Sequence, residues 1–151
     1  MTVATRSNQR TEDNYFTRLT GLSLPEHELS KVLEGESDLP SEINSMKEIT
    51  ANLREVLGLT QEASAHLLGL SRGTLLKDGP PSRNVLDELY ALSRSLLTMS
   101  QVLSTPAQTL AWFKTPHPAL DGETPLDKFR TRYGQEQVND LIDGLLDGNF
   151  L

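Results

Sequence analysis

From Ser41 onward, apolar residues recur at three- and four-residue steps, the pattern of helices that bury one face. Ile43, Met46, Ile49, Leu53, Val56 and Leu57 share such a face; Ser41 is placed to cap this helix and Gly58 to end it. Thr60 is the predicted N-cap of a second helix, with Gln61 and Glu62 in its first turn, running to Leu68 and stopping at Gly69. A third is expected from Ser71 to the neighbourhood of Asp78-Gly79-Pro80-Pro81, where two prolines forbid continuation. Ser82 opens a longer helix whose stripe holds Val85, Leu86, Leu89, Leu92, Leu96, Leu97, Val102 and Leu103, wide enough to serve a core and a second contact. Thr105-Pro106 and Thr124-Pro125 are two cap-and-proline starts. The first predicts a short helix through Phe113, the second a helix ending near Tyr133-Gly134. The last helix spaces Val138, Leu141, Ile142, Leu145 and Leu146 on one side and Glu136, Asp140, Asp143 and Asp147 on the other.

Residues 1–40 lack a sustained period and read as a polar arm, disordered at its start, with one short helix begun at Pro25 (Leu29, Val32 and Leu33 fit one face). No strand-like alternation of useful length and no repeat occur. The expectation is an all-α chain in three parts: the arm at 1–40, a helix-turn-helix bundle at 41–104 and a small helical module at 105–151.

With only 5% aromatic residues, the core must be mostly Leu, Ile, Val and Ala. The absence of cysteine excludes disulfides and thiolate metal sites and fits a reducing compartment. No stretch suits a signal peptide or a bilayer span, so a soluble cytoplasmic protein without membrane contact is expected. The net charge of −7 is unevenly spread: residues 110–151 carry seven acids and four bases, with no Lys, Arg or His beyond Arg132. Residues 41–109, with seven acids and six bases, are the only stretch near neutrality and the only plausible nucleic-acid surface. The acidic tail points instead to a basic protein partner or to solubility.

Residues 60–79 read TQEASAHLLGLSRGTLLKDG. Ala65 is small where two helices cross, Gly69 supplies the turn, and Leu68, Leu70 and Leu75 pin the second helix onto the first. The segment resembles the helix-turn-helix of Xre/Cro-type regulators, whose second helix enters the major groove. Ser64 departs from that pattern, in which an apolar residue is usual. The resemblance makes Gln61, Arg72, Thr74 and Lys77 the DNA-binding candidates, and operator DNA a possible partner. A helical pair with this spacing also serves as a pure packing motif, and Glu62 and Asp78 balance Arg72 and Lys77. Dimerisation through the broad stripe would multiply a weak affinity.

The densest signal is LAWFKTPHPALDGETPL at 110–126, followed by Gly134 and Val138. It is similar to the C-terminal toxin-binding domain of Xre/MbcA/ParS-type antitoxins, with Trp112, Pro116, Ala119, Leu120, Gly122, Pro125 and Leu126 at the motif positions. His117 stands where that pattern has Asn, which alters a local capping contact, and Phe129 where it has Leu, which changes core shape. The resemblance implies a partner: a RES-domain toxin, which consumes NAD and whose active site the antitoxin's C-terminal region covers or enters. A pocket for dinucleotide phosphates tends to be basic, so Glu136, Asp140, Asp143, Asp147 and the end at Asn149, Phe150 and Leu151 are the toxin-binding candidates. Read from the residues alone, Trp112 is a core anchor, His117 a turn residue, and the acids an ordinary solvated face.

No nucleophile with a paired base, phosphate loop or metal cluster stands out, so no catalytic residue, metal or cofactor is expected. The leading expectation is an antitoxin, acting as a homodimer, that occludes its toxin and represses its own operon. The alternative is an orphan dimeric helix-turn-helix regulator without a toxin partner.

Overall fold

The structure, a computed structural model, describes residues 15–148. Every regular element among them is helical. In chain order these are α1 (15–20), α2 (Glu26–Leu33), α3 (Met46–Leu57), α4 (Gln61–Leu68), α5 (Arg72–Leu75), α6 (Arg83–Ser100), α7 (Pro106–Phe113), a 3-10 turn (Pro118–Leu120), α8 (Pro125–Lys128) and α9 (Arg132–Leu146). The chain divides into two compact units, with the boundary between Ser93 and Arg94 inside α6.

In the first unit α3 contacts both α4 and α5. α3 starts one turn later than its apolar pattern suggests. Ser45, not Ser41, caps it, in a reciprocal box with Glu48. Ile43 therefore lies outside the helix. Gly58 ends it in the left-handed conformation, Thr60 caps α4, and Gly69 ends α4 at φ 66°. α5 begins at Ser71 as expected but closes after a single turn. Beyond it the backbone turns to α3: Thr50 Oγ1 donates to the Leu75 carbonyl (2.9 Å), and Met46 and Lys47 N–H donate to the carbonyls of Gly79 (2.9 Å) and Lys77 (2.9 Å). The carbonyls of Lys77 and Gly79 thus satisfy two orphan donors at the start of α3.

Residues 15–40 carry more structure than one short helix. α1 is helical, and Tyr15, Phe16, Leu19, Leu22, Leu29 and Val32 are buried. Phe16 meets Tyr90 of α6 edge-on, with ring centroids 5.7 Å apart. Asn52 Nδ2 donates to the Leu19 carbonyl (3.0 Å), and Arg83 ties down the end of α2 by donating to the carbonyls of Val32 (3.0 Å) and Ser37 (3.0 Å). These anchors are single residues without a period, which is why the pattern reads as an arm. The expected disorder at the start of the arm falls on residues outside those described.

Val85, Leu86, Leu89, Leu92 and Leu96 of α6 are buried within the chain, which leaves only Leu97, Val102 and Leu103 of that stripe half-buried. The stripe is thus largely consumed by the protein's own core.

Ser64 sits at the centre of α4 with no exposed surface, and its hydroxyl has no hydrogen-bond partner among the described residues. A buried unsatisfied hydroxyl costs about 1–3 kcal/mol, and alanine is the better helix former. Ser64→Ala should therefore raise stability by about 1 kcal/mol and Tm by roughly 2–4 °C. Thermal melting monitored by circular dichroism checks this, and a lower Tm would contradict it.

Candidate functional site

The second unit is organised by the joint between α8 and α9. Thr124 caps α8 and Pro125 opens it, but the helix stops at Lys128 rather than running on to Tyr133-Gly134. Thr131 starts a new helix, its hydroxyl accepting from Gly134 N–H (3.0 Å). Gly134 is therefore an interior residue of the first turn of α9, not a stop. A Cβ on it would lie 1.9 Å from the Lys128 carbonyl oxygen, so only glycine lets α9 start this close to α8. Gln135, 4% exposed, locks the same joint by donating from Nε2 to the Phe129 carbonyl (2.9 Å).

This joint sets the direction of α9. Its inward side buries Val138 and Ile142, and Asn139 Oδ1 accepts from Ser95 Oγ of α6 (2.6 Å). Phe113 and Phe129 complete the core, with ring centroids 6.3 Å apart. The outward side carries Glu136, Asp140, Asp143 and Asp147, all exposed. At i, i+4, i+7 and i+11 they form one row along the helix. Asn149, Phe150 and Leu151 lie outside the described residues.

The motif residues form the scaffold behind this face. Leu120 and Pro125 are buried, Leu126 and Trp112 half-buried, Pro116 and Ala119 exposed. The loop after α7 closes on the backbone of His117, whose N–H donates to the Glu123 carbonyl (3.1 Å) and whose carbonyl accepts from Leu120 (3.0 Å) and Gly122 (2.9 Å). Asp121 (φ 58°) and Gly122 (φ 80°) supply the consecutive left-handed residues this closure needs. The His117 ring lies 4.8 Å from Trp112, and its buried Nε2 has no hydrogen-bond partner among the described residues.

Two bases beside the joint are turned back into this loop. Lys128 Nζ is 3.4 Å from Glu123 and 3.9 Å from Asp121, and Arg130 is 3.5 Å from Glu123. The hydrogen bond from Lys128, aided by the charges of Lys128 and Arg130, holds the Glu123 carboxyl below its ordinary value of 4.5.

The DNA-binding candidates are less well gathered. Gln61 is the exposed first residue of α4. Arg72 is paired with Glu62 at 2.7 Å, both side chains well exposed. The Thr74 hydroxyl faces Ser71 Oγ at 3.0 Å inside the cap of α5, and Lys77 lies beyond the end of that helix. Among the described residues no group of three His, Asp or Glu side chains is placed to hold a metal ion, and no helix is long and apolar enough to cross a membrane.

Residues 100–148 match the family model of the antitoxin Xre/MbcA/ParS C-terminal toxin-binding domain. The match covers the last third of the chain, where the second compact unit lies. Among solved structures, this protein is similar to a chain of the M. tuberculosis MbcT–MbcA toxin–antitoxin complex, at 24% identity and a TM-score of 0.50 over 72% of this chain and 99% of that one. No curated sequence matches.

Two outcomes follow from the joint. Gly134→Ala should destabilise the protein by about 3 kcal/mol or more, since backbone rather than a flexible side chain must move. Denaturant unfolding measures it, and a cost under about 1 kcal/mol would show that α9 can shift freely. Because the folded-state pKa of Glu123 is lowered, its contribution is complete above 4.5 and lost as pH falls through the lowered value. Glu123→Gln should melt below the wild type at pH 7, and the two curves should converge in acid; parallel curves across that window would refute the pairing.

Proposed function

We propose that this protein is an antitoxin that binds and occludes a toxin through its C-terminal domain, with the outward face of α9 as the contact. The observation that carries this reading is the row Glu136, Asp140, Asp143 and Asp147, exposed along one side of the domain's last helix and followed by no base in the chain. Such a face complements a cationic surface, and a pocket built for dinucleotide phosphates is cationic. The toxin proposed is of the RES class, which consumes NAD, the partner that the resemblance of residues 100–148 to the antitoxin domain implies. Asn149, Phe150 and Leu151, which follow Gly148 in the sequence, belong to the same proposed contact.

A second reading, self-repression as a dimer on operator DNA, draws support from the α4–Gly69–α5 turn. It has less to work with. α5 is a single turn, its arginine is held by Glu62, and the α6 stripe that would join two copies is mostly buried within one chain. The orphan-regulator alternative rests on the same elements.

The decisive test is suppression of NAD consumption by a RES-domain toxin from the same operon. The wild type should abolish turnover, and Asp143→Lys with Asp147→Lys should weaken binding by roughly 100-fold or more, in line with like-charge juxtaposition costing several kcal/mol. Unchanged inhibition by the double variant would place the contact elsewhere. A gel shift on the operon's promoter, with Lys77→Ala as control, tests the second reading: sequence-specific retention lost in the variant supports it, and no retention removes it.

A further inference from the structure

The acids of α9 do not account for Tyr133. As the second residue of the helix, it keeps 72% of its surface in water, the most exposed large hydrophobic side chain among the described residues. Tyrosine, with a large apolar ring and a polar tip, is a side chain enriched at protein interfaces. Its position is also specific. At 3.6 residues per turn, Tyr133, Glu136, Asp140, Asp143 and Asp147 fall within an arc of about 80°, opposite the buried Val138 and Ile142. At 1.5 Å per residue they span about 21 Å of α9.

We infer that Tyr133 is the affinity-determining anchor of this face, its ring entering an apolar slot on the toxin whose rim is basic. The inference rests on the antitoxin reading above and divides the work within that contact. Exposed carboxylates act at a distance: they speed encounter with a cationic surface in a salt-dependent way and add little to the lifetime of the complex. A ring taken out of water at the contact slows dissociation, and tyrosine is one of the residues in which binding energy concentrates. The local charges suit this. Lys128 and Arg130 are engaged with Glu123, and beyond Arg132, which adjoins Tyr133, the face carries acids and no base, so the field along the acid row favours a cationic rim.

The test is the binding kinetics of the full chain with the purified RES-domain toxin at low and physiological salt. Tyr133→Ala should raise koff about 30-fold or more and leave kon within about threefold. Asp140→Asn, Asp143→Asn and Asp147→Asn together should lower kon about tenfold at low salt and flatten its salt dependence, with koff little changed. Tyr133→Phe should keep the wild-type koff, which separates ring burial from a hydroxyl contact. Because Tyr133 is so exposed, the Tm of Tyr133→Ala should match the wild type, and melting checks that the fold is intact. If Tyr133→Ala leaves koff unchanged while the triple variant slows association, the anchor is refuted and the antitoxin reading stands. If Tyr133→Phe dissociates as fast as Tyr133→Ala, ring insertion is refuted. A wild-type chain that binds no such toxin at micromolar concentration overturns both.

Discussion

The close approach of Gly134 to the Lys128 carbonyl is the constraint on which the C-terminal domain depends. A side chain there would force α9 away from α8, and the Gln135–Phe129 bond would open with it. With the approach intact, α9 leaves the joint in one fixed direction. Val138 and Ile142 then face the core, and the carboxylates face out. A backbone contact between two short elements thus decides which surface the domain presents. On the proposed contact, function is a matter of orientation, since nothing in the acid row needs unusual chemistry to attract a cationic partner.

Charge is sorted by the same geometry. Lys128 and Arg130 fold back onto Glu123 and Asp121, bracing the loop that His117 closes. The bases are used near the joint, and the acids are kept along the helix. A uniformly mixed surface with the same net charge would lack this directional field. The N-terminal unit lacks such sorting: the α4–α5 surface balances Arg72 against Glu62 and spends the end of α5 on hydrogen bonds to α3.

Much of this was legible in the residues because caps and periodicity act locally. Thr60, Gly69, Ser71, Thr105-Pro106 and Thr124-Pro125 mark helix boundaries through contacts within one turn, and all appear where the pattern puts them. What escaped depends on distant partners. The end of α5 meets Thr50, twenty-five residues away, and α1 is held by Asn52 and Tyr90, which no pattern within residues 1–40 announces. Gly134 reads as a helix stop because glycine usually is one. Its role as an interior spacer becomes visible only when Lys128 is beside it. Once Thr131 is seen as the cap, Tyr133 moves from the end of one helix to the exposed face of another.

The central claim, that the α9 face meets the toxin, is tested most directly by backbone hydrogen–deuterium exchange of the full chain with and without the RES-domain toxin. The account predicts added protection along α9 and the loop that supports it, from about residue 117 to 148, with α4 and α5 unchanged. Protection confined to α4 and α5, with α9 exchanging as in the free protein, would contradict it.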